Sequence, residues 1–155
     1  MRRITPCLWF DGRAEEAMHF YVGVFPDSKA GRIARHTDAT PGETGSVLTV
    51  EFELSGTPFI GLNGGPEFSF SEAVSFTWYC DTQAEIDSYW AKLSEGGVTG
   101  QCGWLKDRFG VSWQIVPSII PELISGDPGR ADRVLRAVMQ MTKLDIAELE
   151  RAAHD

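Results

Sequence analysis

Few residues of this sequence could carry chemistry, and those that could are widely separated. The three histidines, His19, His36 and His154, fall on a predicted helix, in a strand-to-loop region and near the C-terminus. Metal binding and nucleophilic catalysis both require several groups that converge on one point. The sequence also contains no HExxH or GxSxG motif. These residues therefore do not predict a metal site or a nucleophilic active site.

Two glutamates are candidates for acid–base chemistry. Glu51 and Glu53 alternate with apolar residues over 47–54, which predicts a strand with both carboxylates on its polar face. A carboxylate on the concave side of a sheet could act as a general acid or base. A solvated strand face explains the same pattern more simply, and both interpretations stay open.

The most informative polar residue is a glutamine in an otherwise apolar strand. Residues 110–117 (GVSWQIVP) leave a tight turn, alternate, and end at a proline. The alternation places Ser112 and Gln114 on one face, and Trp113 and Ile115 on the other. A glutamine side chain must be hydrogen-bonded or hydrated. We therefore expect Gln114 to face water or a polar pocket.

The first half of the chain predicts one strand, a helix and then three strands. The strands are expected over residues 4–10, 28–37, 47–54 and 58–62, and the helix over 13–24. Asp11-Gly12 is predicted to form a turn and to cap the helix. A polar, flexible loop is expected over 38–45. This order differs from the alternating strands and helices of a doubly wound fold.

The second half of the chain repeats this order of strands and helix. A strand is expected over 74–80, a helix over 83–95, and further strands over 100–106 and 111–116, joined by a hairpin turn at 107–110. Asp81-Thr82 is predicted to cap the helix.

Asp11 and Ala14 recur in the same spacing as Asp81 and Ala84. Together with the repeated order of elements, this indicates an internal duplication.

The last part of the sequence predicts helices. Asp127 followed by Pro128 resembles a helix start, and Asp145 followed by Glu148 resembles a capping box. One face is too apolar to be free in solvent, so we expect the tail to pack on the sheet or across a dimer partner. The predicted organisation is a single domain over 1–155, with a first module at 4–66, a second module at 74–117 and a helical tail at 118–155.

Composition limits the partners. The chain has 155 residues, 43% hydrophobic residues and a net charge of −8. This charge argues against nucleic acid and anionic membrane surfaces as partners, and no run is long enough to span a membrane. Three widely spaced cysteines without a CxxC motif are typical of reduced thiols, which predicts a cytoplasmic protein.

Several segments in this order resemble a known superfamily. They are residues 5–12 (TPCLWFDG), 19–21 (HFY), 62–66 (LNGGP), 104–111 (WLKDRFGV), 113–117 (WQIVP) and 137–141 (AVMQM). The chain resembles the vicinal oxygen chelate (glyoxalase/bleomycin-resistance/dioxygenase) superfamily, and within it the PhnB-like group, often labelled demethylubiquinone methyltransferase-like. The resemblance implies an α+β fold of paired βαβββ modules, whose curved mixed sheets enclose a cup, followed by the helical tail.

Enzymes of that superfamily hold a divalent metal with two histidines and a glutamate. The resemblance places those three positions at Pro6, Ser75 and Gln114. Proline has no side-chain donor, serine is a poor ligand, and a neutral amide binds hard cations weakly. We therefore expect no metal and no other cofactor.

The methyltransferase label can be tested separately. Use of S-adenosylmethionine usually implies a glycine-rich turn after the first strand. Here that strand is followed by residues 11–15 (DGRAE). A methyltransferase activity is kept as an alternative.

The resemblance and the strand pattern together predict the lining of the cup. The predicted ligand-binding residues are Pro6, Leu8, Asn63, Ser75, Thr77, Tyr79, Ser112 and Gln114. The indoles of Trp9, Trp78 and Trp113 are expected on the opposite face, against helices.

Two functions are compatible with this lining. One is metal-independent binding of a small-molecule ligand, as in antibiotic-sequestering relatives, and the other is an enzyme acting on a small organic substrate. A third possibility is that side chains fill the cup and that Gln114 only bonds Asn63 or backbone. A homodimer is expected, because the superfamily commonly dimerises.

Overall fold

The computed structural model describes residues 3–155, which form two compact units. The first unit extends to Phe70, and the second comprises Ser71–Asp155. Each unit contains a four-stranded mixed sheet with a helix on one face.

The first unit has the order strand, helix and three strands. Its elements are β1 (Cys7–Phe10), α1 (Ala14–Val24), β2 (Lys29–Arg35), β3 (Val47–Leu54) and β4 (Thr57–Asn63). The strands lie in the order β1-β4-β3-β2, with β1 parallel to β4 and the other pairs antiparallel.

Helix α1 buries one stripe of side chains on this sheet. Ala17, Met18 and Tyr21 are fully buried, and the ring of Tyr21 stacks on Phe52 of β3. A Cβ on Gly61 of β4 would lie 3.3 Å from the Cβ of the first helical residue, Ala14. The helix therefore packs closely because β4 carries no side chain at that point.

The predicted cap of α1 at Asp11 is wrong. The N-cap residue is Arg13, which makes no side-chain cap. Instead, Asn63 Oδ1 at the end of β4 accepts a hydrogen bond from Ala14 N at 2.9 Å, and its Nδ2 donates to Val47 O at 3.1 Å. An amide from the sheet thus takes the place of a local cap.

A tight turn at Ser55 and Gly56 joins β3 to β4. Both residues have positive φ, 48° and 82°, as a type I′ turn requires. Ser55 Oγ also donates to Pro26 O at 2.8 Å, which fixes the turn against the segment that follows α1.

The second unit repeats the first and confirms the predicted α+β class with paired βαβββ modules. Its elements are β5 (Ser75–Cys80), α2 (Gln83–Ser94), β6 (Val98–Thr99), β7 (Trp104–Lys106) and β8 (Ser112–Pro117). The strand order, β5-β8-β7-β6, matches that of the first sheet. Of the strand expected over 100–106, only Trp104–Lys106 forms, because Cys102 and Gly103 have positive φ and turn the chain before β7. The two-residue strand β6 precedes the expected range and was not predicted.

A buried carboxylate holds the predicted hairpin between β7 and β8. Asp107 is 3% exposed, and its Oδ1 accepts hydrogen bonds from Phe109 N and Val111 N. Its Oδ2 accepts from Trp113 Nε1 at 2.9 Å. The turn and the first core residue of β8 are therefore joined by one side chain.

The C-terminal helices have their own core. They are α3 (Ile120–Leu123), α4 (Pro128–Met139) and α5 (Ile146–His154). The predicted caps are confirmed, since Asp127 accepts from Gly129 N and Asp145 from Glu148 N. The buried cluster comprises Val134, Met141, Leu144, Leu149 and Ala153. No helix within the described residues is long and apolar enough to cross a membrane.

The segment between α4 and α5 joins this cluster to the rest of the second unit. Gln83 of α2 donates from Nε2 to Leu144 O and accepts from Ile146 N. Cys102 N and Gly103 N donate to the carbonyl oxygens of Met141 and Thr142. The tail was expected to pack on the sheet or across a dimer partner, and these bonds join it to α2 and to the turn before β7 of its own unit.

Candidate functional site

One face of the second sheet is free of helix α2. Trp78 of β5 contacts the ring of Tyr89 in α2, with 5.3 Å between centroids. Because side chains alternate along a strand, Ser75, Thr77 and Tyr79 point to the other side. Tyr79 is 53% exposed.

The neighbouring strands add to this face. In the parallel pairing, Ser75 lies beside Ser112 and Thr77 beside Gln114. The antiparallel strand β7 places Trp104 opposite Gln114, and Lys106 opposite Ser112. We call these seven residues the open face of the second sheet: Ser75, Thr77, Tyr79, Trp104, Lys106, Ser112 and Gln114.

Five of these seven residues were predicted as ligand-binding, and the structure brings them together. Trp104 and Lys106 were missed, although their alternation with Leu105 would have placed them on the same face.

Gln114 has a partner on the open face. Its Nε2 donates to Ser75 Oγ at 2.9 Å, so it bonds neither Asn63 nor backbone, as the filled-cup alternative supposed. The bond joins β8 to β5 across the sheet. The second amide N–H and the amide oxygen of Gln114, together with the hydroxyl hydrogen of Ser75, remain for further bonds.

Ser112 is the unusual residue of the open face. It is 1% exposed, and its Oγ has no hydrogen-bond partner within residues 3–155. A cavity of about 250 Å³ lies against it, lined also by Glu72, Val98, Trp104 and Lys106. The ammonium of Lys106 is paired with the carboxylate of Glu72, which lowers the pKa of Glu72 through a hydrogen bond. A buried hydroxyl without a partner therefore lies beside an ion pair and an indole.

The donor groups do not fit the divalent metal that the superfamily resemblance implies. Pro6 offers no donor, and the Ser75 hydroxyl and the Gln114 amide are bonded to each other. Within the described part of the chain, no three His, Cys, Asp or Glu side chains converge as a metal site would require.

In the first unit, the predicted faces of β1 are reversed. Leu8 and Phe10 are buried, and they lie on the side of the sheet that faces α1. A Cβ built on Gly61 of β4 would lie 3.3 Å from the Cβ of Ala14 in α1 and 3.6 Å from the ring of Phe10, so all three positions share that side. Leu8 therefore belongs to the core. Because side chains alternate along a strand, Pro6 is on the same side as Leu8, and Trp9 lies on the opposite side. Asn63 caps α1, as described above. Of the eight predicted residues, Pro6, Leu8 and Asn63 belong to the first unit, and the other five lie on the open face of the second sheet.

A second cavity, of about 700 Å³, lies in the first unit. It is lined by residues that include Trp9, Glu15, His36, Leu48, Leu62 and Gly64. Sequence reasoning missed it, because its lining comes from strand ends and from the loop after β2, where no periodic pattern indicates proximity.

The two glutamates of β3 take part in ion pairs. Glu51 pairs with Arg32 at 2.8 Å, and Glu53 with Lys29 at 3.3 Å. The hydrogen bond from Arg32 lowers the pKa of Glu51, which favours its ionised form. This favours a solvated, charged strand face over a proton donor at neutral pH.

The architecture and the open face define a class of protein. Two consecutive βαβββ modules, each with one sheet face covered by a helix, are the fold of the vicinal oxygen chelate superfamily. Parallel pairing within the described residues is limited to β1–β4 and β5–β8. This differs from the parallel sheet of Rossmann-like methyltransferases.

Comparison with known proteins identifies the family within that class. The model of the family described as 3-demethylubiquinone-9 3-methyltransferase matches residues 2–116. A PhnB protein from Bacillus cereus is 35% identical, with a TM-score of 0.69, over 76% of this chain and 100% of that one. The chain therefore belongs to this PhnB-like family.

More distant structures share the fold alone. A protein from Pseudomonas aeruginosa is 20% identical, with a TM-score of 0.62, over 76% of this chain and 98% of that one. The fosfomycin resistance protein FosX from Mesorhizobium loti is 13% identical, with a TM-score of 0.52, over 74% and 89%. No curated protein matches the chain.

Proposed function

We propose that this chain is a metal-independent small-molecule-binding protein whose ligand contacts the open face of the second sheet. The observation that supports this function is the buried Ser112 hydroxyl without a partner. Leaving a buried hydroxyl unpaired costs about 1–3 kcal/mol. A ligand that bonds Ser112 Oγ recovers that free energy. On a face with a purely structural role, the unpaired hydroxyl would only lower stability.

The other groups of the open face suit a small organic ligand. Trp104 and Tyr79 offer aromatic surface, and Lys106, Thr77 and the Gln114 amide offer a few directed polar contacts. Apolar walls with a small number of placed polar groups are typical of small-molecule sites. The ligand-binding residues of this proposal are Ser75, Thr77, Tyr79, Ser112 and Gln114, together with Trp104 and Lys106.

Native mass spectrometry of the purified protein tests this function. We expect a co-purifying small molecule on the wild-type chain, and its loss from the Ser112→Ala and Gln114→Ala variants. Ser88→Ala is the matched control, because Ser88 is an exposed serine of α2 on the other side of the same unit. An adduct that persists unchanged in both variants, or a wild-type chain without any adduct, would contradict the proposal.

Metal analysis of the same samples tests the metal-independent part. Stoichiometric, tightly held zinc, nickel, manganese or iron would contradict it, because the open face offers no carboxylate or imidazole ligand set. Metal below stoichiometry that dialysis removes is the expected result.

We further propose a cytoplasmic homodimer. The compartment is supported by the three cysteines, none of which forms a disulfide. The dimer is supported by the exposure of large apolar side chains such as Val74 and Val98. Light scattering should give twice the chain mass, and a monomeric mass would refute the dimer.

A further inference from the structure

The cavity of the first unit lies where several chain segments end. Strands β1 and β4 run parallel and both finish here, next to the start of β3 and the loop that follows β2. Trp9, Leu48 and Leu62 form an apolar wall. Glu15 of α1 and His36 contribute the ionisable groups. The site therefore combines apolar surface with a carboxylate and an imidazole.

The loop over residues 36–46 makes hydrogen bonds of its own. His36 N donates to Ser46 O at 2.8 Å, and Gly45 N donates to His36 O at 2.9 Å. Within the loop, Thr44 Oγ1 donates to Asp38 Oδ1 at 2.8 Å. The loop thus forms one wall of the cavity.

His36 is held in one orientation with one nitrogen unused. It is 8% exposed, and its Nδ1 lies 3.0 Å from Thr40 Oγ1. Thr40 Oγ1 also donates to Thr37 O, so its single hydrogen is committed and Nδ1 acts as the donor to it. Nε2 then carries a lone pair, and it bonds no residue in the described range 3–155. The ring of this buried residue therefore offers an acceptor to a ligand in the cavity.

Two glycines allow both rings of the cavity to lie against backbone. A Cβ on Gly42 would come within 2.4 Å of His36 Nε2, and a Cβ on Gly64 within 2.4 Å of the Trp9 indole. The indole is also fixed by a bond from Trp9 Nε1 to Gly65 O at 2.8 Å. Both rings are therefore preorganised, which reduces the entropic cost of binding.

The charges of the cavity favour a cation. Glu15 makes no ion pair with any residue from 3 to 155, and none of the lining residues in that range is lysine or arginine. The net charge of −8 acts in the same direction at longer range. An indole face attracts cations as well.

We propose that the cavity of the first unit is a second binding site, selective for a small primary organic ammonium with an apolar body. The ammonium donates one hydrogen bond to the Glu15 carboxylate and one to His36 Nε2, and the apolar body lies against Trp9 and Leu62. This site is in a different unit from the open face of the second sheet, so each can be tested without the other.

Titration calorimetry with benzylammonium tests the charge selectivity. At pH 8, where free imidazole is neutral, we expect saturable one-to-one binding of benzylammonium. Benzyl alcohol and benzoate have the same ring but lack the ammonium, and should bind at least about tenfold more weakly. This difference in affinity corresponds to the loss of one charge-assisted hydrogen bond. Equal or tighter binding of either, or no binding of benzylammonium, would overturn the proposal.

The carboxylate has a matched control on the same helix turn. Glu15→Gln should weaken benzylammonium at least about tenfold, because it removes the charge while keeping the size of the side chain. Glu16→Gln should leave the affinity unchanged, since Glu16 points to solvent and pairs with Arg13. Equal effects of the two substitutions would mean that only the overall charge matters, and would refute the site.

The role of His36 is tested by comparing two cations. Benzyltrimethylammonium has the same charge but no N–H donor, so the wild-type protein should prefer benzylammonium. His36→Asn should abolish this preference, and His19→Asn on the exposed side of α1 should preserve it. A preference that survives His36→Asn would show that Nε2 does not accept the bond.

The glycine contact gives an independent test that leaves every polar group in place. Gly42→Ala should displace the His36 ring and weaken benzylammonium, whereas Gly23→Ala in α1, where an added Cβ meets nothing within 4 Å, should not. Circular dichroism confirms that each variant is folded. Unchanged affinity in a folded Gly42→Ala variant would contradict the placement of the ligand beside His36.

Discussion

Single buried side chains carry much of the structure of the second unit, and Asp107 is the clearest of them. Its two carboxylate oxygens have different tasks, because Oδ1 serves the backbone of the hairpin turn and Oδ2 serves the indole of Trp113. A buried carboxylate remains favourable only when such donors compensate for its lost hydration. The DRFG turn was predicted from the sequence, but this partner was not.

Asp107→Asn should therefore lower the free energy of unfolding by about 1–3 kcal/mol. The amide oxygen can still serve the two backbone groups, but the amide nitrogen then faces another N–H donor at Trp113. Urea unfolding measures the loss, and Asp11→Asn on an exposed turn is the control with little effect. A change in Asp107→Asn no larger than in the control would show that the carboxylate is dispensable.

Cys80 gives the protein a pH-dependent element of stability. Burial raises its pKa from the ordinary 9.0 to about 12, and the carboxylates of Glu85 and Asp81 add to the shift. The folded state therefore favours the neutral thiol more than the unfolded state does. The stabilisation is complete below pH 9 and is lost as the pH rises towards 12.

We expect Cys80→Ala to make stability less dependent on pH between 8 and 11. The substitution lowers stability at pH 8, because it leaves a small cavity, but it removes the thiol that titrates. Urea unfolding at several pH values measures the slope. The exposed Cys7 provides the comparison, and an equal flattening in Cys7→Ala would argue against Cys80 as the source.

At the scale of elements, the two modules start their helices in different ways. In the second module Thr82 caps α2 locally by accepting from Glu85 N. In the first, the cap of α1 comes from Asn63 of β4, which also binds β3 through Val47 O. The duplication of the sequence predicts two similar helices, but the local pattern at residue 11 could not show that the cap comes from a distant strand.

Asn63→Ala should consequently be more damaging than Thr82→Ala. The first loses a cap and an inter-strand bond, and should cost about 2–3 kcal/mol, whereas the second loses one cap at about 1 kcal/mol. Chemical denaturation of both variants decides this. Equal losses would indicate that water replaces the Asn63 bonds at no cost.

The face of a strand is harder to predict than the strand itself. Over β8 the polar residues Ser112 and Gln114 mark one side, and the structure places them beside Ser75 and Thr77 of β5. In β1 every residue from Cys7 to Phe10 is apolar, so alternation offers no sign of which side meets α1. The reversal of Leu8 and Trp9 follows from that lack of contrast.

At the scale of the whole molecule, the helical tail lies outside the segment that the family model matches. The family match ends at residue 116, so α3, α4 and α5 lie outside it. The segment between α4 and α5 is held by the side-chain amide of Gln83 in α2. This amide donates to Leu144 O and accepts from Ile146 N, on either side of Asp145. Capping signals predicted these helices from the sequence. The glutamine that holds them gave no signal, because nothing distinguishes it from other polar residues on a helix.

Gln83→Ala should loosen the start of α5 while leaving the modules folded. Hydrogen exchange at Ile146 N should become at least about tenfold faster, because its acceptor is removed. Exchange in β5 and β8 should not change. Gln101→Ala, an exposed glutamine of the same unit, is the control. Exchange at Ile146 that stays slow would show that the tail's own core suffices to hold it.

The turn at Ser55 and Gly56 has a consequence for the order of folding. A two-residue turn lets β3 and β4 meet by a local search, and hairpins of this kind form within about 1–10 μs. Strand β1 pairs with β4 only after the intervening chain has closed a long loop, which is slower. We therefore expect the strand that comes first in the sequence to be among the last to join its sheet, on a hairpin that has already formed.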